Sequence, residues 1–259
     1  MPADRPPLLD LKDPDAPSLF QPANLLREAR RQRGLDLAAV PSFCLLDPDG
    51  DIVRFLKRTG RAQPVEQWAC YHTEMWRFEQ DGVEFGVVGC AVGAPFAVLV
   101  AEQMFASGCR FLVSITSAGR IAEEAPAFIL IDRALRDEGT SHHYLPPSRF
   151  AAADPDLLAR LASLDVRRGT TWTTDAPYRE TAAAVAAHRA AGLLAVEMEA
   201  AALYAFSRAR KGPVVCFAHL TNTMAQAEGD FEKGEADGAT AALALAVAAV
   251  TVWGRGEVA

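Results

Sequence analysis

The chain has 259 residues, half of them apolar and 23% charged, with a formal net charge of −7. That length and mix suit one large globular domain with an ample core, and exclude disordered and collagen-like classes. The acidity argues against a nucleic-acid partner, which calls for a basic patch, but still allows a local arginine cluster around a phosphate-bearing substrate.

In chain order, residues 1–20 hold five prolines and mixed charge, and are expected to form an extended N-terminal arm before a single domain over residues 21–259. The arm lacks the basic start and apolar run of a signal peptide. Asn24 to Gly34 reads as a short helix capped by those two residues, with Arg27–Arg33 as a solvated face. Apolar runs at Ser42–Leu46, Val83–Cys90, Arg110–Ile115, Ala127–Ile131, Leu193–Val196 and Val214–Ala218 predict strands. They are continuous rather than alternating, as strands buried on both faces are. Between them, Pro95–Ser107, Pro155–Leu164, Thr181–Ala191, Glu199–Ala209 and Ala236–Trp253 predict helices. The expected fold class is therefore α/β: one three-layer domain whose central sheet, mixed and mostly parallel, is flanked by helices.

The alanine-rich tail from Ala239 to Trp253 is about fifteen residues, short of the ~20 that span a bilayer, so no membrane partner is expected. Five widely spaced cysteines without a Cys-x-x-Cys pair read as buried, reduced thiols of a cytoplasmic protein.

Ligands of such sheets bind beyond the carboxyl ends of the strands. The polar residues at those exits are Asp47–Asp51, Thr116–Arg120, Thr173–Glu180 and His219–Thr223, with Glu197-Met198-Glu199 where a strand passes into a helix. Gly89-Cys90-Ala91-Val92-Gly93-Ala94-Pro95 permits close backbone approach and a fixed helix entry, yet is neither a Walker A loop nor a dinucleotide fingerprint. Thr116-Ser117-Ala118-Gly119-Arg120 could hold an anion on hydroxyls and N–H groups, or be an ordinary Ser/Thr turn. Glutamates are rarely buried unless paired or functional. Those of Glu197-Met198-Glu199 could accept both vicinal hydroxyls of a ribose or offset a helix dipole.

These segments, with Thr173-Thr174-Asp175-Ala176-Pro177-Tyr178 and Val196-Glu197-Met198-Glu199-Ala200-Ala201, resemble the nucleoside phosphorylase family in their order over roughly residues 40–250. That family includes purine nucleoside phosphorylases, uridine phosphorylases and nucleosidases. Asp137-Glu138-Gly139-Thr140-Ser141-His142-His143-Tyr144 resembles its uridine-phosphorylase-like branch. The resemblance implies cleavage at C1′ of a nucleoside, without metal or organic cofactor and with inorganic phosphate as co-substrate, by a homo-oligomer built from dimers. It implies that Glu199 and Met198, beside Glu197, hold the ribose. A carboxylate there stabilises positive charge developing on the sugar. Ser117 and the backbone near Gly119 would contact phosphate; Asn222, Tyr178 and Arg179 would address the base, with Pro177 where the family often has a stacking aromatic.

The match departs where phosphate should bind. Leu46-Asp47-Pro48-Asp49-Gly50-Asp51-Ile52-Val53-Arg54 displaces the family's glycine, puts Ile52 at its arginine position and adds three aspartates that repel an anion. Ser114 takes the place of a second arginine. Arg54 and Arg120 are the candidate replacements. Thr221-Asn222 stands where purine-cleaving relatives have Ser-Asp; an amide cannot donate a full proton, which tilts the base toward uracil. The leading expectation is a uridine-phosphorylase-like enzyme. A hydrolase using water on the same scaffold and a non-catalytic nucleoside-binding protein stand beside it. The adjacent His142 and His143 lack a partner at metal-ligand spacing, so no metal is expected.

Overall fold

In the computed structural model, residues 7–10, 12–224, 226 and 228–255 are described. The chain runs α1 (Pro22–Arg33), β1 (Phe43–Asp47), α2 (Asp51–Arg58), β2 (Gln63–Pro64), β3 (Trp76–Gln80), β4 (Val83–Gly89) and α3 (Ala94–Ala106). It continues through β5 (Phe111–Arg120), β6 (Phe128–Asp137), β7 (Phe150–Ala152), α4 (Pro155–Arg160) and β8 (Arg167–Thr174). The last third comprises α5 (Ala182–Ala190), β9 (Ala195–Glu197), α6 (Ala200–Arg210), β10 (Val214–Asn222) and α7 (Ala239–Arg255).

The expected strands form, and the sheet order is β10-β6-β8-β9-β5-β1-β4-β3-β2, with β7 on β6. Because β10 also pairs with β5, the strands β5, β9, β8, β6 and β10 close on themselves while β1 to β4 extend as a flange. The sheet is mixed. β1 runs parallel to β4 and β5, and β10 parallel to β5, so their exits meet at one edge. β9 runs antiparallel to β5 with Gly119 opposite Val196, which carries the chain beyond Glu197 back toward Ser117.

Helices cover both faces, as three layers require. Against one face pack Ala97, Ala101 and Met104 of α3 with Ala201, Tyr204 and Phe206 of α6. Against the other pack Ile52 and Leu56 of α2 and Leu243, Ala246, Val250 and Trp253 of α7. Together with the turn at Glu235–Gly238, α7 makes a 21-residue stretch apolar enough by length and composition to cross a bilayer. Its burial against the sheet gives those apolar side chains a partner within the fold.

Some elements differ from expectation. β8 lies outside the predicted strands, because Arg-Arg-Gly-Thr-Thr-Trp-Thr-Thr offers no apolar run. Its threonines are buried, and their β-branched side chains suit a strand whose hydroxyls find partners. The end of the Asp47–Asp51 exit is helical from Asp51, because Asp47 turns back and accepts the N–H groups of Gly50 (3.1 Å) and Val53 (2.9 Å). Helix α1 starts at Pro22 after Gln21, and Asn24 instead accepts a hydrogen bond from Arg27, while Gly34 closes it with φ +65°. Among the described residues of the N-terminal arm, Pro7–Leu9 form a helical turn, and the Ala16 N–H closes a second turn on the Asp13 carbonyl. Cys44, Cys70, Cys109 and Cys216 are buried free thiols, but Cys90 is exposed.

Candidate active site

The strand-to-helix turn between β9 and α6 buries two carboxylates side by side. Glu199 is 2% exposed; its Oε1 accepts the N–H of Gly93 at 2.7 Å and its Oε2 the N–H of Met198 at 3.3 Å. Gly93 has φ +89° and ψ 147°, a conformation open to glycine, and so points its N–H across the sheet edge. Burial, then the neighbouring charge of Glu197, push the Glu199 carboxyl up to about 8, against the lowering pull of Gly93 and the Thr116 hydroxyl. The charge of Asp49 adds to the push. A carboxyl poised so close to neutrality gains most from a positive charge arriving beside it.

Glu197 has a different task. Its Oε1 accepts the hydroxyls of Thr171 (3.0 Å) and Thr173 (2.5 Å), and its Oε2 the N–H groups of Glu199 and Ala200, both at 2.7 Å. Those N–H groups open α6, so Glu197 works as a cap that ties β8 to the helix start. With its oxygens turned to four donors and its side chain buried, Glu197 holds the Glu199 turn in place.

Residues 116–120 do not form the expected Ser/Thr turn, because pairing with β10 keeps them in β5, yet Ser117 does hold an anion, one supplied by the chain itself. The Ser117 N–H donates to Asp49 Oδ2 at 2.6 Å and the Ser117 hydroxyl to Asp49 Oδ1 at 2.7 Å. The contact falls on Ser117 and not on Gly119, where a side chain would collide with Met224 and Val196. Around Asp49, Lys233 pairs with Asp51 and lies 3.9 Å from Asp49, and Arg54 pairs with Asp51 and donates to the Asp49 carbonyl at 2.9 Å. Burial pushes Asp47 up to about 7, with the charges of Asp49 and Asp51 adding to it. Asp47, Asp49, Asp51, Ser117 and His219 border a cavity of about 20 Å³, room for one water molecule.

The remaining candidates are spread out. Arg54 sits at this cluster, its charge engaged by Asp51. Arg120 turns away, its guanidinium on the carbonyls of Ala125 and Leu220. Asn222 stands opposite Gly119 on β10, donating to the Thr221 hydroxyl at 3.1 Å and accepting from Met224 N–H at 2.9 Å. Met198 reaches toward Gly93, its Cε at 4.0 Å from where a side chain there would begin. Tyr178 is 99% exposed and Arg179 is also exposed, so within one chain neither encloses a base. His142 leans on Arg136 at 3.3 Å. Among the described residues no group of three or more His, Cys, Asp or Glu is arranged to hold a metal ion.

Sequence reasoning missed the roles of Gly93, Thr116, Asp49 and Lys233. Asp49 carried a signal, since an acid at a strand exit beside a Ser/Thr segment is a ready partner for its donors. Lys233 carried none: it reaches Asp51 across 182 residues of chain. A cavity of about 770 Å³ lies elsewhere, between residues 17–25 and the α3 and α6 helices.

A family model for the phosphorylase superfamily matches residues 43–252, and the chain belongs to that superfamily. A guanosine phosphorylase from Halorubrum lacusprofundi is 29% identical over 140 residues, covering 51% of this chain and 58% of that protein, so the match spans little more than half the relative's length. Three solved structures share the fold at lower identity. They are a purine nucleoside phosphorylase of Toxoplasma gondii in complex with immucillin-H (14% identical, TM-score 0.65, 83% of this chain and 90% of that one); a 5′-methylthioadenosine/S-adenosylhomocysteine nucleosidase of Campylobacter jejuni (17%, 0.62, 82% and 98%); and a uridine phosphorylase of Vibrio fischeri complexed with 6-hydroxy-1-naphthoic acid (18%, 0.62, 83% and 90%).

Proposed function

We propose that the chain cleaves the N-glycosidic bond of a nucleoside with water as the acceptor. The observation that carries this reading is the Asp49 carboxylate on the N–H and hydroxyl of Ser117. Those two donors are the ones a phosphate would need, and both are taken. A phosphate dianion would also face Asp47 and Asp51, while the two nearby cations, Arg54 and Lys233, already pair with Asp51. Water carries no charge and fits the space that remains.

In the reaction the C1′–N bond breaks as the sugar gains oxocarbenium character, and a water oxygen bonds to C1′. The base leaves with the electron pair, and Asp49 is placed to take the proton that the water gives up. Glu199 and Met198 hold the ribose, Glu199 answering the developing charge more strongly than the neutral substrate. Asn222 offers an amide donor and acceptor to the base. That suits an oxo base such as uracil or guanine, which departs as a stabilised anion, better than a base needing full protonation. Exposed Tyr178 and half-exposed Val92 fit a site completed by a second copy of the chain.

Phosphorolysis is the second reading, favoured by the guanosine phosphorylase relative and by two cations near Asp49, Arg54 from α2 and Lys233 from the segment before α7. Incubation with uridine, guanosine and adenosine, with and without phosphate, separates the two. Equal release of free base with and without phosphate, giving free ribose, is expected. Release that requires phosphate and gives ribose 1-phosphate would replace water with phosphate as the acceptor.

A further inference from the structure

We infer that Asp49 is the residue that selects the acceptor: its carboxylate is a resident anion that keeps phosphate off the Ser117 N–H and hydroxyl. The inference rests on the hydrolytic reading above. Its geometry is specific. Both carboxylate oxygens are used, one on the Ser117 N–H at 2.6 Å and one on the Ser117 hydroxyl at 2.7 Å, which is the two-point hold a phosphate would receive.

Three features fix the carboxylate there. Gly50, with φ +78°, begins the turn into α2 and lets Pro48 and Asp49 reach back over the sheet edge toward β5. Asp47 clamps that turn through the N–H groups of Gly50 and Val53, and Arg54 grips the Asp49 carbonyl. Lys233 from the segment before α7 lies 3.9 Å from the Asp49 carboxylate and is anchored by Asp51, so it balances the negative charge at the turn. The charge of Asp49 is also felt at Glu199, which places the resident anion beside the ribose-holding carboxyl and not at a remote surface.

A short neutral side chain at position 49 would free both Ser117 donors and leave Lys233, now 3.9 Å from the Asp49 carboxylate, beside an open seat. The Ser117 donors would then bind phosphate, and the acceptor would change from water to phosphate. In that variant a phosphate oxygen bonds to C1′ as the C1′–N bond breaks, giving ribose 1-phosphate and free base.

The test uses the whole chain, with Asp49→Ser to open the seat and Asp49→Asn as an isosteric neutral control for folding. Calorimetric titration with inorganic phosphate reads the seat without any turnover. Phosphate affinity is expected to rise about 10- to 100-fold in Asp49→Ser over the parent, the range contributed by charged hydrogen bonds, with a smaller rise in Asp49→Asn. With nucleoside present, phosphate-independent base release should fall and ribose 1-phosphate should appear in Asp49→Ser. Unchanged phosphate affinity in both folded variants overturns the inference. If the parent itself proves phosphate-dependent, the hydrolytic reading fails by that result alone. The role of Asp49 is then decided by the phosphate KM: a lower value in Asp49→Ser upholds the resident anion, and an equal value overturns it.

Discussion

Gly93 and Glu199 lie 106 residues apart in the chain and meet in a hydrogen bond of 2.7 Å, the backbone N–H of one donating to the buried carboxylate of the other. The bond joins the exit of β4 to the start of α6 and aims the carboxylate at the edge where β1 and β5 also end. It gives a buried acid one fixed partner and leaves it responsive to a positive charge at the same edge.

Replacing Glu199 with alanine should lower turnover of the best nucleoside by about 10²- to 10³-fold, the usual loss when one preorganised electrostatic partner of a transition state is removed. The far-ultraviolet dichroism of the variant should match the parent, because the carboxylate that caps α6 is Glu197. Activity close to that of the parent would remove Glu199 from the site.

The pH dependence has two expected parts. A buried acid whose folded pKa lies above its unfolded value holds its proton more tightly when folded. Stability is therefore highest where both states are protonated and declines as pH climbs from the ordinary value of 4.5 to about 8 for Glu199. Glu199→Gln should flatten that part of the thermal-unfolding profile. If the carboxylate form holds the sugar cation, kcat/KM should rise with pH through an acid limb near 8. A flat kcat/KM across neutral pH would contradict this.

Glu197→Gln should destabilise the fold by about 2–4 kcal/mol, because an amide NH2 then faces a donor and leaves buried groups unpaired. The loss should appear in chemical denaturation. At temperatures where the variant stays folded, KM for nucleoside should change little; a large change in KM with unchanged stability would return Glu197 to the sugar.

A side chain at Gly93 must adopt φ +89°, at a strain of about 1–3 kcal/mol, and lies beside the Met198 thioether. Gly93→Ala should lower both stability and kcat, the second because the N–H that fixes Glu199 is displaced. Wild-type turnover in a destabilised variant would show the hydrogen bond to be purely structural.

Asn222→Asp should raise adenosine cleavage relative to uridine, since a carboxylic acid can protonate a departing purine and an amide cannot. The ratio of initial rates on the two nucleosides measures it. An unchanged ratio would place the base elsewhere than beside β10.

Several elements are legible in the amino-acid order alone. The continuous apolar runs at Val83–Gly89 and Val214–Ala218 mark strands because burial on both faces leaves no polar alternation. Gly34 marks a helix end because it takes φ +65° there. The buried β8 threonines carry no such local mark, since their hydroxyls are satisfied by partners distant in sequence, such as Glu197 with Thr171 and Thr173.

Local pattern alone specifies most of the strands and helices, the α/β class and the Glu197-Met198-Glu199 turn. Folding is what separates the two acids: Glu197 caps the start of α6 while Glu199 takes the N–H of Gly93, a difference invisible until their donors are placed. It likewise decided the fate of the aspartates after β1. As a string they read as repulsion toward an anion. Folded, Asp49 is itself the anion at Ser117, because parallel pairing of β1 with β5 brings two exits 68 residues apart to the same edge.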